Sequence, residues 1–440
     1  MADHRTPCEL ICLDHPSLIP LCTTMDPIHI IVNPIAGQGK APEFVDLHIV
    51  PLLNALHVPF EVYTTKSPKD AGKIGLEIHQ RLSRFSRIRV IVAGGDGTAH
   101  ELIEGVFQGG AMSLRWELAI LPLGTANALH ASLFPDPAAS YTLPPDIQAA
   151  LGTDPPQSDL HALSSVFLLL TQSTPPRNLP ITITTILDGN AQPTEPRITS
   201  HIVLSTALHA ALLSDSESLR AAHPGIERFK IAAQNNLPIA FLARVELHGP
   251  TITQYSPRSR RFVEPFTIPI SGGENGGAEL TGPFSYFLSV TTTDRLEPTF
   301  IIAPTLHNCP PEGATLDLVV LRPARDPTVQ TTSDEAERAN ARAARLGEAM
   351  GWAYQNGKHV DMTYSTTHPG DTEENGEGEV VCEVFRCSGF EWTPQDPTHD
   401  RSHLVCADGS IHTIPPGGKA SVTVLQASPG ASENGFFVYA

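Results

Sequence analysis

Residues 89–98 read Arg-Val-Ile-Val-Ala-Gly-Gly-Asp-Gly-Thr, and the fold is read outward from this stretch. Val90 to Ala93 form a short, β-branched apolar run, the pattern of a buried strand. Gly94, Gly95 and Gly97 follow, a turn whose backbone a ligand can approach closely because no Cβ stands in the way. Thr98 is then a candidate helix N-cap, and residues 100–107 continue with helical spacing. A strand, a glycine turn and a helix N-terminus together suit an anion, since free N–H groups and the positive end of the helix dipole face it. Asp96 sets this turn apart from a passive dinucleotide site. A carboxylate among phosphates is repelled unless it accepts a proton or binds a metal, which points to phosphoryl transfer.

Two further segments repeat the arrangement. Ile28 to Val32 read as a strand, followed by Asn33-Pro34-Ile35-Ala36-Gly37-Gln38-Gly39-Lys40. Leu118 to Leu123 read as another, followed by Gly124-Thr125-Ala126-Asn127. In this order and spacing, Asn-Pro-x-x-Gly-x-Gly, Gly-Gly-Asp-Gly-Thr and Pro-Leu-Gly-Thr-x-Asn resemble the diacylglycerol kinase catalytic domain family, which includes sphingosine, ceramide and bacterial lipid kinases. Sphingosine and sphingoid long-chain base kinases are the most similar branch. The resemblance implies a three-layer, NAD-kinase-like α/β domain and transfer of the γ-phosphoryl of ATP, with Mg²⁺, to a lipid hydroxyl. It implies Asp96 as the catalytic base. It also implies nucleotide contacts from Asn33, Gly37 and Gly39 in the first loop, Gly95, Gly97 and Thr98 in the second, and Gly124, Thr125 and Asn127 in the third. Thr65 matches a family segment in which a Thr contacts nucleotide; a helix N-cap is the alternative. For Asp96 the alternative is a purely structural role in the glycine turn.

A second constellation lies at 205–230. Asp215-Ser216-Glu217-Ser218-Leu219-Arg220 and Ile226-Glu227-Arg228-Phe229 resemble the sphingosine and ceramide kinase signature. The resemblance gives Asp215 as the contact to the lipid's polar head and Arg220 and Arg228 as contacts to the ATP phosphates. A carboxylate anchor favours a sphingoid base, whose amine is cationic. The alternative is an Asp215 that caps a helix, with both arginines on a solvated face. Thr206, Ala207 and Leu208 depart from the aromatic and glycine positions of the family. Near the C-terminus, Val405-Cys406-Ala407-Asp408-Gly409-Ser410 keeps the family's Asp-Gly turn and has Ser410 where it has Glu; neighbouring acids such as Glu383 are candidates to replace it.

The 440-residue chain is long enough for two domains, and its net charge of −18 argues against nucleic acid as a partner. The seven cysteines have no zinc-type spacing and read as reduced thiols. The longest apolar stretch, Val166 to Leu170, is far short of the roughly 20 residues of a membrane span, and the N-terminus lacks the apolar core of a signal peptide. A cytoplasmic protein that touches the membrane peripherally, where its lipid substrate lies, is therefore expected.

The expected fold is an α/β domain with a parallel sheet over residues 27–150 and a mainly antiparallel β-sandwich domain over 151–440, preceded by a poorly ordered lead-in at 1–26. Strands are expected at Ile181 to Leu187, Ile198 to Leu204, Phe241 to Leu247, Phe284 to Thr292, Leu316 to Leu321, Val380 to Phe385 and Ser421 to Leu425, with helical patches near 208–236 and 334–353. Two inserts, 255–279 and 366–379, read as disordered. The function expected is an ATP-dependent lipid kinase acting on a sphingoid base. Diacylglycerol or ceramide kinases, and a catalytically weak nucleotide- or lipid-binding pseudokinase, are the alternatives. The sequence assigns no metal ligands.

Overall fold

A computed structural model describes residues 26–82, 86–139, 142–152, 155–223, 227–271, 277–425 and 434–440. The lead-in expected at 1–26 lies, save Asp26, outside the described residues.

The first sheet is built on β1 (Ile28–Val32), β2 (Phe60–Thr64), β3 (Arg87–Gly94) and β4 (Arg115–Pro122), all parallel, in the order β2-β1-β3-β4. β1 is buried along its whole length and β3 almost so, as continuous apolar runs in a parallel sheet covered on both faces must be. One face packs Ile74 and Ile78 of the Asp70–Leu82 helix and Leu102, Ile103 and Val106 of the Asp96–Gln108 helix. The other packs Leu52 and Leu53, with Val166 and Leu169 of the Ser164–Thr171 helix. The result is three layers. Beyond β4 the sheet continues with Gly435–Val438, parallel to β4, and Arg177–Asn178, antiparallel at the edge. The chain thus returns to its first sheet at its C-terminal end.

The rest is built on two antiparallel sheets of eight and seven strands. Between them lies a separate core that includes Val245, Phe287, Phe385, Phe390 and Trp392, with the Phe287 and Trp392 rings 5.1 Å apart. Helices Ala207–Leu219, Glu227–Asn236 and Glu335–Ala353 occupy the two expected helical patches. Ile198 to Leu204 is not one strand. Ile198–Ser200 belongs to the seven-stranded sheet and Leu204–Thr206 to the eight-stranded one, with a corner at 201–203 between them.

Strands occupy described parts of 255–279 and 366–379, the two stretches expected to be disordered. Gln254 to Ser256 pair with Arg261–Val263, and Gly277–Thr281 pair with Ala243–His248. Thr372–Glu374 pair with Met362–Tyr364. Backbone ladders to neighbouring strands order these polar stretches, although their composition offers little apolar surface. Residues 272–276 lie outside the described residues. Among the described residues, no helix is long and apolar enough to cross a membrane.

Candidate active site

The three glycine loops leave the carboxyl ends of β1, β3 and β4 side by side, where open α/β sheets bind ligands. Their glycines lock them together. Gly37 has φ +60°, and a Cβ there would stand 2.8 Å from the Leu123 carbonyl oxygen. A Cβ on Gly95 would stand 2.8 Å from Gly124 Cα, so the second and third loops touch backbone to backbone. Side chains complete the lock. Asn33 Nδ2 donates to Thr98 Oγ1 at 3.0 Å. Asn127, itself at φ +52°, accepts the Gly124 N–H on Oδ1 at 2.7 Å and donates Nδ2 to the Gly124 carbonyl at 3.1 Å. Gly39 and Thr125 are exposed at the loop tips.

The helix after the second loop begins at Asp96 with Gly95 at its N-cap. Thr98 is therefore not the cap; it is buried in the first turn, held by Asn33. Asp96 has a defined structural task. Its Oδ2 accepts the Ala128 N–H at 2.8 Å and its Oδ1 the Leu129 N–H at 3.1 Å. It caps the Ala128–Leu133 helix from another loop, because Asn127, the residue in the N-cap position, spends its side chain on Gly124. Burial raises the Asp96 proton affinity and Asp408 adds to this, against those two N–H groups and His201, which lower it.

Asp408 enters from the Leu404–Ala407 and Ser410–Thr413 hairpin, and it is fully buried. Its Oδ1 accepts the N–H groups of Ile202 (3.0 Å) and Val203 (2.8 Å), and its Oδ2 that of His201 (2.9 Å). This carboxylate holds the corner at 201–203 in shape. His100 Nδ1 lies 3.0 Å and His201 Nδ1 2.8 Å from the same Oδ2. Burial alone would raise the Asp408 proton affinity, but the two imidazoles hold it far below the usual carboxylate range. For His100, burial works against protonation, while Asp408, with Glu104 and Glu101 behind it, overcomes this and raises its pKa. The Asp-Gly turn was visible in the sequence, yet nothing marked His201 as its partner.

Ser410 is exposed, two residues past Asp408. Glu383 does not replace the family acid. It is fully buried, both its oxygens accept from Arg322 at 2.7 Å, and its strand lies four places from the Leu404–Ala407 strand in the sheet.

The second constellation is placed apart from the loops' own contacts. Asp215 lies inside the Ala207–Leu219 helix and does not cap it. Its Oδ2 accepts from Asn236 Nδ2 at 2.8 Å and from Arg401 at 2.9 Å. Arg220, exposed at the end of that helix, grips Glu217, and Arg228 in the next helix lies 4.0 Å from the same carboxylate. Thr65 is buried at the end of β2, where its N–H donates to the Val32 carbonyl at 2.9 Å; the following helix starts at Asp70, so Thr65 is not its N-cap.

Comparison with known proteins finds relatives for the part of the chain that carries the three loops. Residues 27–153 match the family described as "Diacylglycerol kinase catalytic domain". Human sphingosine kinase 1 is 33% identical over 110 residues, covering 24% of this chain and 27% of that protein. Sphingoid long chain base kinase 5 of Saccharomyces cerevisiae is 34% identical over 108 residues, covering 24% and 15%. The mitochondrial acylglycerol kinase of Xenopus laevis is 30% identical over 109 residues, covering 24% of each. The matched part thus spans about a quarter or less of these relatives' lengths. A crystal structure of a putative diacylglycerol kinase from Bacillus anthracis aligns with 93% of this chain and 96% of its own, at 15% identity and a TM-score of 0.48. Residues 27–153 therefore match the diacylglycerol kinase catalytic domain family, and the relatives that match the same part of the chain are lipid kinases.

Proposed function

We propose that this protein is an ATP-dependent lipid kinase that transfers the γ-phosphoryl of ATP to a lipid hydroxyl. Nucleotide would lie on the loops of Asn33, Gly37 and Gly39, of Gly95, Gly97 and Thr98, and of Gly124, Thr125 and Asn127, with Thr65 beside them. In the step itself, the lipid oxygen bonds to the γ-phosphorus as the bond from that phosphorus to the leaving ADP oxygen breaks. Asp96 takes the hydroxyl proton. Its burial suits this, because a carboxylate of raised proton affinity is the better base.

The observation that carries the reading is Gly97. It sits in the first turn of a helix, its φ is not positive, and a Cβ there would meet nothing within 4 Å. Glycine in a helix costs roughly 0.5–1 kcal/mol relative to alanine. Gly347 and Gly351 of the Glu335–Ala353 helix are equally open, so openness alone does not call for a ligand. What favours one at Gly97 is its place in the first turn beside the glycine loops, where free N–H groups suit a phosphate.

Mg²⁺ would come with the nucleotide, neutralising phosphate charge. The cluster of His100, His201 and Asp408 does not fit it. Two of its three donors are nitrogens and its carboxylate is already surrounded by N–H donors, whereas Mg²⁺ takes an oxygen shell. Both Asp96 oxygens likewise accept backbone N–H groups, so phosphates and water would supply the oxygen shell. Contact with the membrane follows from a lipid acceptor, and flotation of the protein with liposomes checks it.

The test is transfer of labelled phosphate from ATP to diacylglycerol, sphingosine, ceramide and NAD. A labelled lipid is expected, with Asp96→Asn reducing turnover at least ~10²-fold while ATP still binds. Label on NAD alone would remove the lipid reading. Tight ATP binding without transfer to any acceptor would leave a nucleotide-binding protein without catalysis.

A further inference from the structure

Asp408 Oδ2 has more partners than it can satisfy. A carboxylate oxygen offers about two lone pairs. The His201 N–H takes one at 2.9 Å. Two imidazole nitrogens compete for the other, His100 Nδ1 at 3.0 Å and His201 Nδ1 at 2.8 Å. His201 is the loser. Its side chain is wholly buried, yet neither Nδ1 nor Nε2 has a hydrogen-bond partner among the described residues. Its Nδ1 is near the oxygen but out of line for a hydrogen bond. A buried imidazole with an unused lone pair and an unused N–H is costly and calls for a partner. The two rings lie nearly parallel, with 12° between their planes, and the ligating atoms of His100, His201 and Asp408 all fall within 4.8 Å of one another.

We propose that His100, His201 and Asp408 form a binding site for one first-row transition-metal ion, Zn²⁺ by preference. The site is independent of the kinase reading. Its donors are two imidazole nitrogens and one carboxylate oxygen, a set that is wrong for Mg²⁺ and right for Zn²⁺. Zn²⁺ binds such groups at about 2.0–2.2 Å, and three protein ligands with water in the fourth place are a frequent arrangement. Tetrahedral donors at those lengths stand roughly 3.3–3.5 Å apart. The two imidazole nitrogens, at 3.0 and 2.8 Å from Oδ2, need only a small outward shift to reach this spacing. His201 Nδ1 would give the ion its lone pair, and Oδ2 would keep its other lone pair for the His201 N–H. The ligands come from the Asp96–Gln108 helix, from the corner at 201–203 and from the Asp408 hairpin. An ion there clamps the helix that carries Asp96 to the antiparallel sheets. The His100 side chain is 10% exposed and the other two are wholly buried, so the way in passes His100. Without the ion, a protonated imidazole is the partner left to Asp408, and ion and proton compete for one place.

The experiment strips the full, untagged chain with EDTA and adds back Zn²⁺, or Co²⁺ as a probe whose visible absorption reports four-coordinate binding. Wild type is expected to take up one ion per chain and to melt at least about 3 °C higher with Zn²⁺ at a hundredfold its Kd. His100→Gln is expected to lower Zn²⁺ affinity at least about tenfold. The chain has nineteen histidines, so a second variant locates the ion. His100→Cys keeps a donor at this position, and its Co²⁺ complex is expected to gain the charge-transfer band of a metal thiolate, which wild type lacks. A wild-type melt that Zn²⁺ leaves unmoved overturns the site, whether or not the variants fold. So does Zn²⁺ binding in His100→Gln as tight as in wild type, or a folded His100→Cys without the thiolate band. Cooperative melts in EDTA verify that the variants fold. Kinase activity enters none of these readings, so the site and the proposed function fail separately.

Discussion

His100 Nδ1 stands 3.0 Å from Asp408 Oδ2, a contact between residues 308 positions apart in the chain. It begins a row. Asp96, His100, Glu104 and Gln108 follow at four-residue spacing on one helix, so they share a face. Glu104 accepts the Thr199 N–H at 2.8 Å, and Gln108 donates to the Arg197 carbonyl. The helix that presents Asp96 to the loops is thus docked along this face onto the Ile198–Ser200 strand and the Asp408 hairpin.

Removing the Asp408 charge should undo the docking. Asp408→Asn replaces one acceptor oxygen with a donor that faces N–H groups, and it strips the two histidines of their counter-ion. Breaking a buried pair of this kind costs about 3–5 kcal/mol. Urea titration of wild type and variant measures the loss. A change below about 1 kcal/mol would mean that water replaces the carboxylate and that the hairpin is not a brace.

The same pair sets a pH dependence. The His100 pKa is raised in the folded state, so its contribution to stability is full below the ordinary imidazole value of about 6.5 and is lost as pH rises through the folded value. The Asp408 pKa is depressed, so its contribution is present above the ordinary carboxylate value and is lost as pH falls toward the folded one. The groups facing His100 are Asp408, Glu104, Glu101 and the stacked His201 ring. The stability gap between wild type and His100→Gln should therefore be widest between about pH 4.5 and 6 and should narrow in alkaline buffer. A gap that widens above pH 8 would show that His100 is bound as the neutral ring.

Two glycines of the loops should respond in opposite ways. Gly97→Ala has open space around its Cβ, and it should gain up to about 1 kcal/mol of stability while ATP affinity falls. Gly124→Ala pushes against Gly95 backbone and should lose about 1–3 kcal/mol as the loops separate. Thermal melts with and without ATP separate the cases. Undiminished ATP-induced stabilisation in Gly97→Ala would remove this glycine from the nucleotide site.

The loops were legible in the sequence because a buried strand, a glycine turn and a helix start are neighbours in the chain. Even there, the partner of Asp96 was not, since Ala128 and Leu129 offer it only backbone N–H groups and their side chains carry no trace of the bond. The Gly435–Val438 strand pairs with β4 across more than 300 residues, and its short apolar run is equally consistent with other edges. The described parts of 255–279 and 366–379 show a related limit of the sequence. Their composition is that of loops, and their order comes from ladders to strands elsewhere. Arg401 carries no motif at all; only the fold brings it to Asp215.

Ser410 yields the remaining prediction. Ser410→Glu has two conceivable outcomes: a restored acid that aids catalysis, or a second buried acid that harms the fold. Exposure of Ser410, and the confinement of Glu383 between Arg322 and Arg325, remove the second. A glutamate on this exposed strand end should change stability by no more than about 0.5 kcal/mol. It would add negative charge beside the hairpin that braces the Asp96 helix. If the reacting phosphates and their Mg²⁺ lie over these loops, that charge strengthens metal binding, and the Mg²⁺ concentration giving half-maximal rate should fall. Kinase rates of wild type and Ser410→Glu across a Mg²⁺ titration decide it. Superimposable curves would place position 410 outside the reach of the metal, and the serine would then be a neutral replacement in this chain.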